Sequence, residues 1–188
     1  MNTRDRIIYE SLKLFSTNGF EAVSTRMIAR AVEVSDTALY KHFKSKQEIF
    51  DTIIVLCKER MMRKQEEAKF SITAWEDVEQ ACMEMFRFQT EDEWIVMYRQ
   101  LLILEQFKNP EMASIYQAFF IQGPLNSMTG LFTELMKGGH MKRQNPRVLA
   151  MELYAPFFMY HLISSKEESV LEELREHVTY FCRNNKEK

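Results

Sequence analysis

Two serines set close together, Ser24 and Ser35, decide most of what this chain can fold into. Ser24 is a good N-cap, its hydroxyl able to accept from the orphan N–H groups of a helix start, and apolar Met27, Ile28, Ala31 and Val32 follow at helical spacing. Val34 and Ser35 break that rhythm, and Ser35 caps a second helix whose inward residues are Ala38, Leu39 and Phe43. Two short helices separated by about three to four residues make a helix-turn-helix. Ala29 and Ala38 keep the side chains small where steeply crossing helices must approach closely. The outer face of the second helix, residues 35 to 41, then offers Asp36, Thr37, Tyr40 and Lys41 to a DNA major groove. His42, Lys44 and Lys46 follow as contacts to the phosphate backbone.

The surrounding residues resemble the TetR family of bacterial transcriptional regulators. The likeness runs from residue 4 to residue 50, through Asn18-Gly19-Phe20, Ser24-Thr25-Arg26, Ile28-Ala29, Val34-Ser35, Leu39-Tyr40-Lys41-His42-Phe43 and Ser45-Lys46-Gln47-Glu48. It implies that Thr25 and Tyr40 hold phosphates and that Lys46 meets another at the start of a fourth helix. Arg26, Asp36, Thr37, Ala38 and Lys41 would lie at or near base edges, with Ser24, Ser35 and His42 completing the DNA-facing set. Two departures stand out. Glu33 occupies the place where the family usually has glycine, so the turn is either strained or shaped to avoid the left-handed region. Thr37 stands where the family often has Gly, Pro or Ala, and Asp36 brings a carboxylate to the groove side. That carboxylate either accepts from a cytosine amino group or compensates the dipole of the helix it opens.

The resemblance carries an architecture with it: an all-α chain with a DNA-binding head over residues 1–48 and a ligand-binding and dimerisation body over 49–188, joined by a long helix over 46–69. The rest of the sequence agrees. Residues 46–69 are apolar in their first half and charged in their second, and no hairpin signal or repeat interrupts the helical pattern. Capping boxes at Thr73 to Glu76, Thr90 to Glu93 and Ser165 to Glu168, with the pairs Asn109-Pro110 and Asn145-Pro146, predict helix starts near 74, 91, 110, 146 and 166. Gly123-Pro124 predicts either two helices or one kinked helix across 110–137, and the count reaches about nine. By resemblance, the last two helices, near 146–164 and 166–183, build a homodimer interface. Their apolar stripes are Leu149, Leu153, Pro156, Phe157, Tyr160 and Leu162 on one and Val170, Leu171, Leu174, Val178 and Phe181 on the other. Periodicity alone leaves open whether those stripes face a second copy or the chain's own core.

Charge narrows the reading. The formal net charge of −2 argues against nucleic acid only until its distribution is seen. Residues 1–69 carry 13 Lys and Arg against 10 Asp and Glu, and residues 70–188 carry 12 against 17. A mildly basic head on an acidic body still presents the right field within a Debye length of about 8–10 Å. Cys57, Cys82 and Cys182 have neither disulfide parity nor C-x-x-C spacing, so no disulfide framework and no metal site are expected. The absence of any run of about 18 apolar residues argues against a membrane span, and a cytoplasmic protein is expected.

Met and aromatic residues are dense in the body, enough to line an apolar cavity for a small-molecule effector. Trp94, Met97, Tyr98, Phe107, Tyr116, Phe120, Phe157 and His161 are the candidate lining residues; Arg99 and Glu105 either orient such a molecule or form a solvated face. An enzyme is not expected. No histidine has Glu three residues before it, as a helical di-metal site would need, and no nucleophile-elbow, zinc-protease or phosphate-loop pattern occurs. The expected function is a transcriptional regulator, more often a repressor, that binds a palindromic double-stranded operator as a dimer without any cofactor and leaves it when an effector binds. The alternatives are a DNA-blind helical adaptor that has kept the fold or an all-helical enzyme.

Overall fold

Caps and breaks in the sequence place most of the helix ends. The computed structural model describes residues 2–71, 75, 77–163 and 168–187. Its helices are α1 (Thr3–Asn18), α2 (Thr25–Val32), α3 (Asp36–Tyr40), α4 (Lys46–Ser71), α5 (Asp77–Glu91), α6 (Glu93–Glu105), α7 (Pro110–Gln117), α8 (Gly123–Lys137), α9 (Pro146–Ile163) and α10 (Glu168–Asn185). A π-turn, Ala118–Gln122, joins α7 to α8, so residues 110–137 form one continuous helical run and the total among the described residues is nine such runs. The architecture is all-α, with an N-terminal helix-turn-helix and a helical body.

Asn109 and Asn145 cap as expected: Asn109 Oδ1 accepts from Glu111 N at 2.9 Å, and Asn145 Oδ1 accepts from Arg147 N at 3.0 Å. Thr90 does not cap. Its hydroxyl donates back to the Phe86 carbonyl at 2.8 Å inside α5, and α6 begins only at Glu93. A threonine that finds a carbonyl one turn earlier satisfies its own side chain within the helix and has no need to end it. The boxes at Thr73 to Glu76 and Ser165 to Glu168 rest on residues outside those described.

Contacts gather the chain into two compact units. The first comprises Met1–Met62 and Glu93–Tyr116. The sequence boundary at 48/49 is therefore a division of expected roles, since α6 joins the head's unit by packing along α1. Its core holds Ile7, Leu12 and Phe15 of α1, Ile28, Ala29 and Val32 of α2, Leu39 of α3 and Ile49 and Ile53 of α4, all at most 2% exposed. Burying an aliphatic side chain of this size contributes about 1.5–3 kcal/mol, which is what holds such short helices in place. Phe15, Phe20 and Phe50 meet at tilted or edge geometries, with centroids 4.6–5.9 Å apart. The inward stripe of α2 differs from the expected one. Met27 and Ala31 are exposed, and Ala29 takes the buried place where α2 approaches its neighbours.

The second unit comprises Arg63–Asp92 and Gln117–Lys188. Here α8 packs along α9, and α10 packs on α5 and α9. An isolated antiparallel bridge between Met141 and Lys186 ties the α8–α9 loop to the end of α10. Leu149, Leu153 and Phe157 of α9 and Val170, Leu174, Val178 and Phe181 of α10 are buried in this unit's own core. They are internal residues, not a surface awaiting a second copy. The outward face of α9 carries Val148, Met151 and Met159 together with Leu162 of the expected stripe, each about half exposed. Among the described residues no helix is long and apolar enough to cross a membrane.

Candidate nucleic-acid interface and body cavity

The helix-turn-helix is built from serine caps. Ser24 Oγ accepts from Met27 N at 3.3 Å, Ser35 Oγ from Ala38 N at 3.2 Å, and Ser45 Oγ from Glu48 N at 3.1 Å. A hydroxyl that accepts from the backbone keeps its own O–H free to donate, so Ser24 and Ser35 can cap a helix and face a phosphate at once. Between α2 and α3 the chain closes a Schellman motif: Glu33 N donates to the Arg30 carbonyl and Val34 N to the Ala29 carbonyl. That motif needs a left-handed residue at its C′ position, and Glu33 supplies it at φ 59°, ψ 44°. Among the described residues it is the only non-glycine with positive φ. The strained reading of the turn is the one adopted.

Exposed side chains then converge across the two helices. Thr25 Oγ1 and Tyr40 OH lie 3.5 Å apart, so one phosphate oxygen can bridge both hydroxyls. Arg26 Nε lies 3.7 Å from Asp36 Oδ2. This pairing gives the Asp36 carboxylate a partner within the protein, an arrangement neither sequence reading foresaw. Thr37, Lys41 and His42 are exposed, and Ala38 is half-buried against α2. Lys46 is more occupied than expected: its ammonium donates to the Phe20 carbonyl at 2.7 Å and sits 4.2 Å from the centre of the Phe20 ring. The same unit contains Glu105, whose Oε1 accepts from Phe20 N at 2.9 Å. Glu105 is thus a buried strut under the α1–α2 loop, and buried Arg99 likewise belongs to this unit's interior; neither forms a solvated face.

The second unit contains a partly open cavity of about 160 Å³. Its walls come from α4, α5, α8 and α9, among them Phe86, Gln89, Phe132, Tyr154, Phe157 and His161. His161 stacks on Phe86 with centroids 5.0 Å apart and planes 19° apart, and Phe157 meets Phe86 edge-on at 5.6 Å. Gly123 and Pro124 close one side. A Cβ built on Gly123 would lie 2.3 Å from the Ala118 carbonyl oxygen, so only glycine lets the π-turn pass the wall. Cys82 also lines the cavity, and burial pushes its thiol up to about 12.

Comparison with known proteins bears on the head first. Residues 7–53 match the profile of the bacterial regulatory proteins of the tetR family. The biofilm operon icaADBC negative transcriptional regulator IcaR of Staphylococcus aureus is 32% identical over 102 residues, covering 52% of this chain and 53% of IcaR. The regulator TcmR of Streptomyces glaucescens is 45% identical over 47 residues, 25% of this chain and 21% of TcmR. Over residues 7–53 the chain is similar to the TetR family of transcriptional regulators. Its match with IcaR spans about half the length of that relative. Across the whole length the likeness is one of fold. A TerR/AcrR-family transcriptional regulator of Aquifex aeolicus superposes with TM-score 0.71 at 20% identity, covering 95% of this chain and 99% of that one. The ketosteroid transcriptional regulator KstR2 of Mycobacterium tuberculosis superposes with TM-score 0.72 at 12% identity, covering 100% and 96%.

The sequence-derived cavity residues divide between the two units. Phe157 and His161 line the cavity. Met97, Tyr98 and Tyr116 are buried in the first unit, where burial raises the Tyr98 phenol well above its ordinary value. Trp94 is half-buried beside Tyr9, with ring centroids 5.8 Å apart, and Phe107 is 87% exposed. Phe120 is buried in the second unit but does not line the cavity; its carbonyl accepts from Tyr154 OH at 2.7 Å. The wall residues that sequence reasoning missed, Phe86, Gln89 and Tyr154, sit on stripes indistinguishable from ordinary core. The available signal was Gly123-Pro124, which was read as a kink and not as a wall.

Proposed function

We propose that this protein is a sequence-specific DNA-binding transcriptional regulator that represses by occupying a palindromic operator as a homodimer. The observation that carries the reading is the exposed face made by α2 and α3, where the paired hydroxyls of Thr25 and Tyr40 adjoin Thr37 and Lys41. The hydroxyls, with the free donor capacity of Ser24, Ser35 and Lys46, serve the phosphate backbone. Arg26 and Lys41 serve base edges. Asp36 engages Arg26 through Nε, which leaves both η nitrogens to meet the O6 and N7 of a guanine as a fork. IcaR is itself described as a negative regulator, which supports repression. A DNA-binding role also implies a cytoplasmic location, and family members are regulators and not enzymes.

A single half-site reader gains little specificity, so a dimer follows from the role, with half-sites about one helical turn apart. The exposed apolar face of α9 is the surface we assign to it, in a pairing that also involves α10. Release by a small apolar or amphipathic effector in the body completes the mechanism, and requires the effector to favour the released state by about 1–3 kcal/mol.

The test is retention of genomic DNA fragments by the purified protein at several salt concentrations, followed by sequencing. Enrichment of a palindrome, weakening steeply as salt rises, is the expected result. Enrichment of nothing at low salt removes the reading in favour of a DNA-blind adaptor. On the selected operator, Tyr40→Phe and Lys46→Ala weaken binding to every sequence, whereas Arg26→Ala and Lys41→Ala alter preference among operators. Equal losses on every sequence for all four variants would remove the base-reading assignment. Because Lys46 also holds the Phe20 carbonyl, its variant is read beside a melting curve.

A further inference from the structure

We propose that the body cavity takes an uncharged, single-ring aromatic molecule bearing a hydroxyl, of the phenol class. The proposal rests on the reading of the body as the effector-binding part, and names the chemistry that part accepts. Four observations point the same way. The volume, about 160 Å³, is close to the roughly 150 Å³ of an apolar cavity that admits benzene. The walls are ring-shaped. Phe86 and His161 are stacked, Phe157 stands edge-on to Phe86, and Phe132 and Tyr154 add two further rings to the wall, leaving faces and edges for a flat guest to stack against.

Charge is the third constraint. Among the described residues that line the cavity there is no carboxylate, ammonium or guanidinium, and the one imidazole, His161, lies stacked on the Phe86 ring. An ionised guest would be taken out of water with no such countercharge to meet it, which is strongly unfavourable. The fourth is the polarity of the wall. Tyr154 has committed its O–H to the Phe120 carbonyl, so it is not a donor to a guest. Gln65, Gln89 and Ser127 add amide and hydroxyl groups to the same lining. A guest that donates one O–H therefore suits the site better than a hydrocarbon of equal shape. Met85 and Met128 supply flexible wall, so substituents on the ring are tolerated.

The experiment measures binding of phenol, toluene, benzoate and benzylamine to the full-length chain by titration calorimetry and ligand-detected NMR, with no DNA present. Phenol is expected to bind saturably with a Kd of about 1 mM or tighter, toluene several-fold more weakly, and the two ions at least about tenfold more weakly. Met128→Trp fills the cavity from its flexible side and is expected to weaken phenol by about tenfold or more. Should that variant fold poorly, transfer of magnetisation between phenol and the methionine methyl groups of the unaltered protein locates the guest instead. No saturable phenol binding, benzoate binding as well as phenol, or a guest located away from the cavity would each overturn the proposal. Failure here leaves the operator reading intact, because that reading is judged by fragment selection alone.

Discussion

The two units of this protein are held together by different kinds of hydrogen bond. In the helix-turn-helix, the bonds that set geometry join near neighbours: Ser24, Ser35 and Ser45 each accept from a backbone N–H three residues ahead, and Glu33 closes its turn on the carbonyl of Arg30. In the body, the bonds that set geometry reach across the chain. Tyr154 donates to Phe120, Thr179 to Glu79, and Gln144 to Asn185. A surface made by local bonds is specified by the few residues that form it. A surface made by distant ones depends on the packing of everything between them. The difference matches the comparisons, where the family profile covers residues 7–53 while likeness over the whole length is a matter of fold.

If the body depends on packing, its most sensitive point should be the place where backbone meets backbone. Gly123→Val puts a branched side chain on the Ala118 carbonyl, with the first carbon already at 2.3 Å, and the π-turn must open to admit it. A loss of about 3 kcal/mol or more is expected, in the range of the severest single substitutions. Each unit has its own reporter, since Trp75 belongs to the second and Trp94 to the first. Fluorescence melts of the two single-tryptophan forms should show the Trp75 transition falling further. A larger fall at Trp94 would erase the contrast.

The head also has long-range supports, among them Arg6 to the Val32 carbonyl and Lys46 to the Phe20 carbonyl, and the one that reaches furthest along the chain is open to removal. Glu105→Ala takes away the acceptor for Phe20 N from under the α1–α2 loop. Hydrogen bonds to charged groups contribute about 1.5–3 kcal/mol, so chemical denaturation should show a loss of about 2 kcal/mol. Glu105→Gln keeps an acceptor and should recover about half of it. If the alanine variant is as stable as the parent, this bond adds nothing to what the local bonds of the head already secure.

Legibility follows the same division. Ser24, Ser35, Asn109 and Asn145 could be read as caps because an acceptor ahead of a helix acts within one turn. Asn18-Gly19 falls at the end of α1, where glycine's freedom at positive φ is an equally local effect. Thr90 misled because its hydroxyl had an equally local alternative in the Phe86 carbonyl. The stripes of α9 and α10 could be recognised as apolar, but which neighbour they faced depended on helices far away in sequence. Pairing of Asp36 with Arg26 was out of reach too, since it joins side chains on successive helices whose crossing geometry no spacing rule supplies.

Ser35→Ala addresses the local side directly. It removes the acceptor for Ala38 N at the start of the short α3, and loss of such a cap costs about 1 kcal/mol. Because α3 carries most of the residues proposed to face the groove, operator affinity should fall in step with stability, on all sequences alike. Stability lost with no change in affinity would mean that DNA itself orders α3.

The smallest effect should have the opposite sign. Glu33 holds a left-handed conformation that costs an L-residue about 1–2 kcal/mol, whereas glycine adopts it freely. Glycine also gives the unfolded chain more freedom, at a cost of about 0.5–1 kcal/mol. Glu33→Gly should therefore stabilise the protein by at most about 1 kcal/mol, a rise of a few degrees in Tm. It also removes a negative charge beside the proposed DNA face, so operator affinity should rise a few-fold at low salt, the gain fading as salt is raised. A variant less stable than the parent would show that the Glu33 side chain contributes more to the turn than its backbone strain removes, and that the head's geometry is not secured by its backbone bonds alone.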